Sequence, residues 1–152
     1  MEAAKVWNKY RELKECLLRL GRAAVAFSGG VDSLLLLVAA REGEVLGYAT
    51  SSVFRPRAAY DRTIETSIYL RDGATGLRLG TRLYAALFAA IAGEDIHRML
   101  AVVAIPNDAS VALHTSFGFR EVGRLNEVGR KFDRWWDVVF LEKRVEDSPL
   151  GA

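Results

Sequence analysis

The order of its short apolar segments constrains the fold of this chain more than any single residue does. From residue 45 onward, apolar runs of strand length are interrupted by two helical segments, of which the first is rich in Ala and Leu, and Gly, Pro or Asn residues separate the segments. The predicted strands are 45–54, 64–70, 99–105, one that begins at 119–123, and 131–142; the predicted helices are 79–92 and 109–117. The order β, β, α, β, α, β, β predicts an α/β or α+β fold, in which helices pack on a mixed sheet.

The segment before residue 45 allows two interpretations. Residues 2–20 carry apolar side chains at helical spacing, and residues 22–27 form a short apolar strand. The run 33–41 is either a buried helix or the first arm of a hairpin that turns at 42–44. A continuous apolar run of this length does not discriminate between the two by its periodicity.

Composition excludes several classes of function. The 152 residues carry 21 basic and 19 acidic side chains, and this near balance argues against nucleic acid as a partner. The apolar runs are too short to span a bilayer, which needs about 20 residues, and no signal-peptide layout opens the chain. We therefore expect a cytoplasmic protein with no membrane partner. One cysteine, Cys16, and two histidines, His97 and His114, predict neither an internal disulfide nor a protein-held metal.

The connection between the strand 64–70 and the helix 79–92 is a place where chemistry can occur. Backbone N–H groups at the start of a helix bind anions such as phosphate, and the helix dipole strengthens that binding. Glycines in this connection allow a ligand to approach the backbone closely. Many strand-to-helix connections also need glycine only to turn, so both interpretations remain open.

Five blocks follow one another in a fixed order over some 100 residues: GEVLGYATSSVFRPRAAY (43–60), TIETSIYL (63–70), TGLRLGTRLYAALF (75–88), AIPNDASVALHTSFGF (104–119) and VGRKFDRWWDV (128–138). They resemble the GNAT superfamily of N-acetyltransferases, and within it the phosphinothricin and methionine-sulfoximine acetyltransferase branch. The resemblance implies a GNAT-like, mostly antiparallel sheet flanked by helices. It also implies one domain over 1–152, with an atypical segment at 1–35, a core at 36–145 and a tail at 146–152.

The resemblance implies acetyl-CoA as a co-substrate. The pantetheine arm would pair with the backbone of Ile68, Tyr69 and Leu70, and Asn107 would contact the same molecule. The pyrophosphate would lie on the loop formed by Gly76, Leu77, Arg78, Leu79, Gly80 and Thr81. This loop departs from the family pattern, because Thr75 replaces an Arg or Gln and Arg78 replaces a glycine.

The acceptor implied by the resemblance is a small amino-acid-like molecule with a primary amine. Glu65 aligns with a carboxylate that accepts the ammonium proton, directly or through water; alternatively, it is an edge carboxylate paired with Arg62 or another base. His114 aligns with a histidine that assists catalysis; alternatively, it packs in its helix beside Phe117.

Two further sets of residues take roles from the same resemblance. Arg55 and Arg57 lie where the branch binds its acceptor, and guanidinium groups suit carboxylate or phosphinate oxygens. Alternatively, they belong to a solvated surface loop. The branch commonly forms homodimers, and the residues Lys131, Arg134, Trp135 and Trp136 would serve packing and dimer contact.

The first residues resemble a different family. The stretch KYRELKECLLRLGRAAVAFSGGVDSLLLL (9–37) is similar to the start of PP-loop ATP-pyrophosphatases, in which SGGVDS (28–33) cradles a pyrophosphate. This likeness implies a chimeric chain. We expect the borrowed segment to supply elements of the acetyltransferase fold, so that the strand 22–27 pairs with 34–40 and SGGVDS becomes a hairpin loop; alternatively, 31–41 stays helical as in the parent family. Three functions follow: an acetyl-CoA-dependent N-acetyltransferase, a folded scaffold with little or no activity, or an ATP-binding stub.

Overall fold

The structure is a computed structural model that describes residues 23–25, 33–41, 44–74 and 78–145. Outside the described residues lie several predicted features: the helix at 2–20 with Cys16, residues 28–32 of SGGVDS, Gly76 and Leu77, and the tail at 146–152.

The described elements follow the predicted order from residue 44 onward. They are the strands β1 (Ala23–Val25), β2 (Ser33–Arg41), β3 (Glu44–Val53), β4 (Thr63–Leu70), β5 (Arg98–Ile105), β6 (Arg120–Lys131) and β7 (Arg134–Arg144), and the helices α1 (Leu79–Ile91) and α2 (Asp108–Ser116). A turn of 3-10 helix at Ala58–Tyr60 lies between β3 and β4. The pairs β1–β2, β2–β3, β5–β7 and β6–β7 are antiparallel, and the pair β4–β5 is parallel. The predicted fold class, a mostly antiparallel sheet with helices, is confirmed.

Residues 33–41 form a strand, so the hairpin interpretation is correct. Ala39 of β2 lies opposite Ala23 of β1 and opposite Gly47 of β3. The N–H and C=O groups of β2 form hydrogen bonds with the strands on both sides. The extended conformation therefore satisfies these backbone groups as fully as a helix would. The predicted pairing of 22–27 with 34–40 is confirmed for the described part of β1.

The predicted start of the last strand at Lys131 is wrong. Lys131 ends β6, and β7 begins at Arg134. Between them, Phe132 and Asp133 both have φ 54°, so they form a two-residue turn in which each central residue is left-handed. Such turns usually carry Asn and Gly, and the sequence Phe-Asp gives no such signal.

The chain divides into two compact units, each assembled from separate stretches of sequence. The first combines the chain up to Ser52 with Ile68–Glu94, and the second combines Val53–Ser67 with the chain from Asp95 onward. The strand β4 therefore leaves the second unit after Ser67 and enters the first at Ile68. The prediction of a single domain over 1–152 stays a prediction.

In the first unit, α1 packs on β2 with one face. Leu83, Tyr84, Leu87 and Ile91 recur at helical spacing, and all four are buried. The predicted Ala/Leu-rich helix is present, and the burial of these side chains on one shared face stabilises it. No helix in the described ranges is long and apolar enough to cross a membrane.

In the second unit, the core lies under β5 and β7. Met99, Ala101 and Val103 of β5 are buried at alternate positions, as are Val139 and Leu141 of β7. The strand order within this unit is β4, β5, β7 and β6, so β6 lies at its edge. Almost all residues of β6 are correspondingly exposed.

Candidate active site

The described residues predicted to hold acetyl-CoA, apart from Asn107, lie in the first unit. Ile68, Tyr69 and Leu70 end β4, and the turn at 71–74 follows them. The Tyr69 side chain is 58% exposed, and its ring lies 5.0 Å from the ring of Tyr48 on β3. Leu79, Gly80 and Thr81 form the first turn of α1. The end of β4 and the start of α1 therefore belong to one compact unit.

The N-terminus of α1 has no cap from the residue that precedes it. The first helical hydrogen bond runs from the Arg82 N–H to the Arg78 carbonyl over 3.0 Å, so the N–H groups of Leu79, Gly80 and Thr81 lack an intrahelical acceptor. The Arg78 side chain makes no capping bond, and the first turn has no acidic residue. This arrangement is the one that binds anions at helix N-termini.

Arg78 adopts a left-handed conformation at this helix start. Its φ is 54°, and its side chain is exposed. Left-handed backbone costs an L-residue about 1 kcal/mol, which glycine avoids. The position is therefore one that suits glycine, and Arg78 forms the same turn at a cost in stability.

Asn107 caps the second helix with its own side chain. Its Oδ1 accepts a hydrogen bond of 3.1 Å from the Ser110 N–H, and Asp108 adds a negative charge in the first turn. The N-terminus of α2 is thus satisfied within the protein. Asn107 has an exposed position and keeps the two N–H donors of its amide for other partners.

Glu65 lies in the part of β4 that belongs to the second unit. It is half-buried and pairs in parallel register with Leu100 of β5. The proposed partner Arg62 instead forms an ion pair with Asp95, so the alternative of an Arg62–Glu65 pair is wrong. Within the described part of the chain, Glu65 has no ion pair or side-chain hydrogen bond. Its carboxylate oxygens therefore have no partner among the described residues.

Arg55 and Arg57 lie in the loop after β3, and both are exposed. The Arg55 guanidinium lies 5.0 Å from the centre of the Phe54 ring, and Phe54 meets Tyr60 edge-on at 5.7 Å. The Arg57 carbonyl accepts a 2.8 Å bond from the Tyr60 N–H, which fixes the 3-10 turn. These contacts order the loop that carries the two cations.

His114 is buried in the second unit, and its ring meets Phe119 edge-on at 5.3 Å. The Ser110 carbonyl, 2.7 Å from Nδ1, can only accept, so Nδ1 carries the proton and donates it. Burial lowers the pKa of His114, while the hydrogen bond to Ser110 opposes that shift. His114 is therefore neutral at pH 7.

Because the folded-state pKa of His114 is lowered, its contribution to stability is present above the unfolded pKa of about 6.5 and is lost as pH falls toward the folded value. We expect the free energy of unfolding of the wild-type chain to fall more steeply below pH 6.5 than that of His114→Asn. Asparagine retains a donor for Ser110 but does not titrate. Urea unfolding of both proteins between pH 5 and 8 measures this difference, and parallel pH profiles would contradict it.

Sequence reasoning missed one residue beside these groups. Gly47 of β3 lies directly against the backbone of Tyr69 and Leu70. A glycine inside a strand pattern is a known signal of close backbone approach, so the sequence pattern could have indicated this position. Among the described residues, no group of three or more His, Cys, Asp or Glu side chains could hold a metal ion.

Comparison with known proteins gives concordant matches. A family model described as acetyltransferase (GNAT) domain matches residues 24–140. The phosphinothricin N-acetyltransferase of Streptomyces coelicolor is 53% identical over 104 residues, which are 68% of this chain and 61% of that protein. The L-methionine sulfoximine/L-methionine sulfone acetyltransferase of Pseudomonas paraeruginosa is 37% identical over 114 residues, which are 75% of this chain and 66% of that protein.

A solved structure has the same fold. It is a GNAT superfamily phosphinothricin acetyltransferase from Sinorhizobium meliloti in complex with AcCoA, with a TM-score of 0.69, 34% identity, and coverage of 78% of this chain and 64% of that one. The chain thus spans less than two thirds of the length of each of these relatives. Because the family model matches most of its residues, the chain belongs to the GNAT acetyltransferase domain family.

Proposed function

We propose that this chain is an acetyl-CoA-dependent N-acetyltransferase that transfers acetyl to the primary amine of a small amino-acid-like acceptor. The observation that carries the proposal is the N-terminus of α1, to which Arg78 makes no capping bond and which follows the end of β4 within one compact unit of a GNAT domain. Its first N–H groups, which lack an intrahelical acceptor, and its positive dipole end match the pyrophosphate of acetyl-CoA in charge.

In this proposal, the backbone of Ile68, Tyr69 and Leu70 pairs with the pantetheine arm like an added strand. The pyrophosphate lies on the first turn of α1, at Leu79, Gly80 and Thr81. The contact of Asn107 with acetyl-CoA stays a prediction. The complex of the Sinorhizobium meliloti relative with AcCoA supports this assignment. The exposed guanidinium of Arg78 adds a positive charge at the phosphate site, where the family carries glycine.

The acetyl thioester supplies an electrophilic carbonyl, and residues of this chain prepare the attacking amine. Glu65 accepts a proton from the acceptor ammonium, directly or through water. The neutral nitrogen then bonds to the acetyl carbon while the carbon–sulfur bond breaks. The nitrogen loses its second proton to the leaving thiolate, so the products are the acetylated amine and the free thiol of CoA. N–H groups near Ile68 and Leu70 polarise the carbonyl oxygen. His114, which is neutral at pH 7, assists catalysis.

Arg55 and Arg57 bind the acceptor in this proposal. Their exposed guanidinium groups can form paired hydrogen bonds with carboxylate or phosphinate oxygens. The names of the relatives, phosphinothricin and L-methionine sulfoximine acetyltransferases, support an acceptor of this class.

We also propose a homodimer, in which the β6–β7 hairpin turn meets a second copy. Phe132 and Trp135 there are 79% and 55% exposed, so a second copy could bury both side chains. The cations Lys131 and Arg134 stack on neighbouring aromatic rings and hold the turn in shape. Light scattering that gives the mass of one chain at micromolar concentration would reject the dimer.

A second candidate is a folded scaffold with little or no activity. The observation that favours it is Arg78 itself, since a bulky residue replaces glycine where the phosphates must approach the backbone. The antiparallel pairing of β1 with β2 fits both candidates, because it gives residues 23–25 a role in the sheet. ATP binding by SGGVDS is the third interpretation.

Isothermal titration of the full chain with acetyl-CoA and, separately, with ATP distinguishes these functions. The proposal expects micromolar binding of acetyl-CoA, no heat with ATP, and formation of an acetylated amine when phosphinothricin or methionine sulfoximine is added. Acetyl-CoA binding that is absent or only millimolar would favour the scaffold. Heat with ATP that disappears in Asp32→Ala would favour the ATP-binding stub.

A further inference from the structure

The end of β4 lies unusually close to β3 at one residue. A Cβ atom built on Gly47 would lie 2.6 Å from the Tyr69 carbonyl oxygen and 2.6 Å from Leu70 Cδ2. The Leu70 Cα would lie at 3.2 Å. A leucine methyl group can rotate away from such a contact, but a backbone carbonyl moves only with its strand. Position 47 therefore admits only glycine while the β4 backbone stays where it is.

A bulge in β3 accompanies this close approach. Ala39 of β2 pairs with Gly47, but the next residue, Ala40, pairs with Val45, so Leu46 has no partner on β2. The Leu46 carbonyl instead accepts a hydrogen bond of 2.9 Å from the Arg71 N–H, just beyond the end of β4. The bulge and the glycine together hold residues 69–71 against β3.

We propose that Gly47 is a positioning residue for acetyl-CoA. This inference rests on the proposed function, because residues 68–70 matter only if their backbone pairs with the pantetheine arm. A methyl group at position 47 displaces the Tyr69 carbonyl and the amides beside it. Hydrogen bonds to a ligand depend on sub-ångström placement of their donors and acceptors, so Gly47 determines acetyl-CoA affinity without touching the ligand.

The test compares Gly47→Ala with Gly123→Ala in β6. A Cβ at Gly123 meets nothing within 4 Å, so the control makes the same change in a strand without the collision. We expect Gly47→Ala to raise the Kd and the KM for acetyl-CoA about tenfold or more, with the KM for the amine at saturating acetyl-CoA unchanged. We expect Gly123→Ala to match the wild-type protein in all three constants.

Amide chemical shifts at Tyr69, Leu70 and Arg71 supply a readout that does not need the ligand. They should change in Gly47→Ala and stay constant in Gly123→Ala. A purely structural role for Gly47 would lower the melting temperature and leave the acetyl-CoA constants unchanged, which would overturn the inference. If the wild-type chain binds no acetyl-CoA, the proposed function fails and the inference fails with it.

If Gly47→Ala does not fold, Leu70→Ala is added to it, because this change removes the side-chain half of the collision and leaves the carbonyl half. The double variant should still bind acetyl-CoA about tenfold more weakly than Leu70→Ala alone. Equal affinities would mean that the backbone collision has no effect on the ligand, and would overturn the inference while the proposed function stands.

Discussion

Replacing Glu65 with glutamine is expected to lower turnover by about 10²–10³-fold, because an amide cannot accept the proton of the acceptor ammonium. The affinity for acetyl-CoA should not change, since Glu65 is not among the residues proposed to hold it. Glutamine retains the size and polarity of the side chain, which is half-buried and unpaired with any described residue. Steady-state rates with both substrates saturating, together with titration of acetyl-CoA, measure the two effects separately.

Glu121→Gln is the matched control for this variant. Glu121 lies on β6, and its carboxylate is 3.9 Å from the guanidinium of the exposed Arg124. The substitution therefore also removes one carboxylate from the second unit. We expect wild-type turnover from it. A rate for Glu65→Gln within fivefold of the wild-type rate would show that Glu65 is not the base. An equal loss in both variants would show a general charge effect.

Truncation of Leu141 is expected to destabilise the chain by about 3 kcal/mol, through lost burial and the cavity that remains. Leu141 is 1% exposed and lies on β7, which pairs with β5 on one side and β6 on the other. For a domain of this size, that loss lowers the melting temperature by roughly 6–12 °C. Thermal unfolding followed by circular dichroism measures the change in Leu141→Ala.

Leu125→Ala makes the same substitution at an exposed site. Leu125 is 47% exposed on β6, so little apolar area is lost, and we expect the melting temperature to fall by less than about 2 °C. Similar losses in the two variants would mean that the burial of Leu141 does not determine stability in the second unit.

The sequence predicts the elements with strong periodicity and leaves open those that depend on neighbours. The helix α1 and the strands β4 and β5 follow from spacings within each segment. The run 33–41 is apolar throughout its inner residues 34–40, and only the pairing of β2 with β1 and β3 determines its conformation. The turn at Phe132 and Asp133 has no glycine, so its position depends on the register of β6 and β7.

The candidate site also contains both residues that the sequence predicts and a residue that it does not predict. The family resemblance supplied Glu65, the end of β4 and the start of α1, and the left-handed φ of Arg78 agrees with a position that carries glycine in the family. Gly47 was missed, because its role depends on the backbone of Tyr69 and Leu70 at the end of β4, which lies against it. The GNAT match begins at residue 24, before the predicted start near residue 36. The PP-loop resemblance of the first residues stays a prediction.

The passage of β4 from one unit to the other affects how the chain is made. The first unit needs no residue beyond Glu94, whereas the second combines Val53–Ser67 with residues that follow Asp95. A ribosome releases residues in order, at about 5–20 per second, so the early unit has every residue it needs before the late one does. Until translation reaches β5, the first half of β4 emerges without the strand that pairs with it in parallel register. Slow codons placed after residue 94 would lengthen that interval.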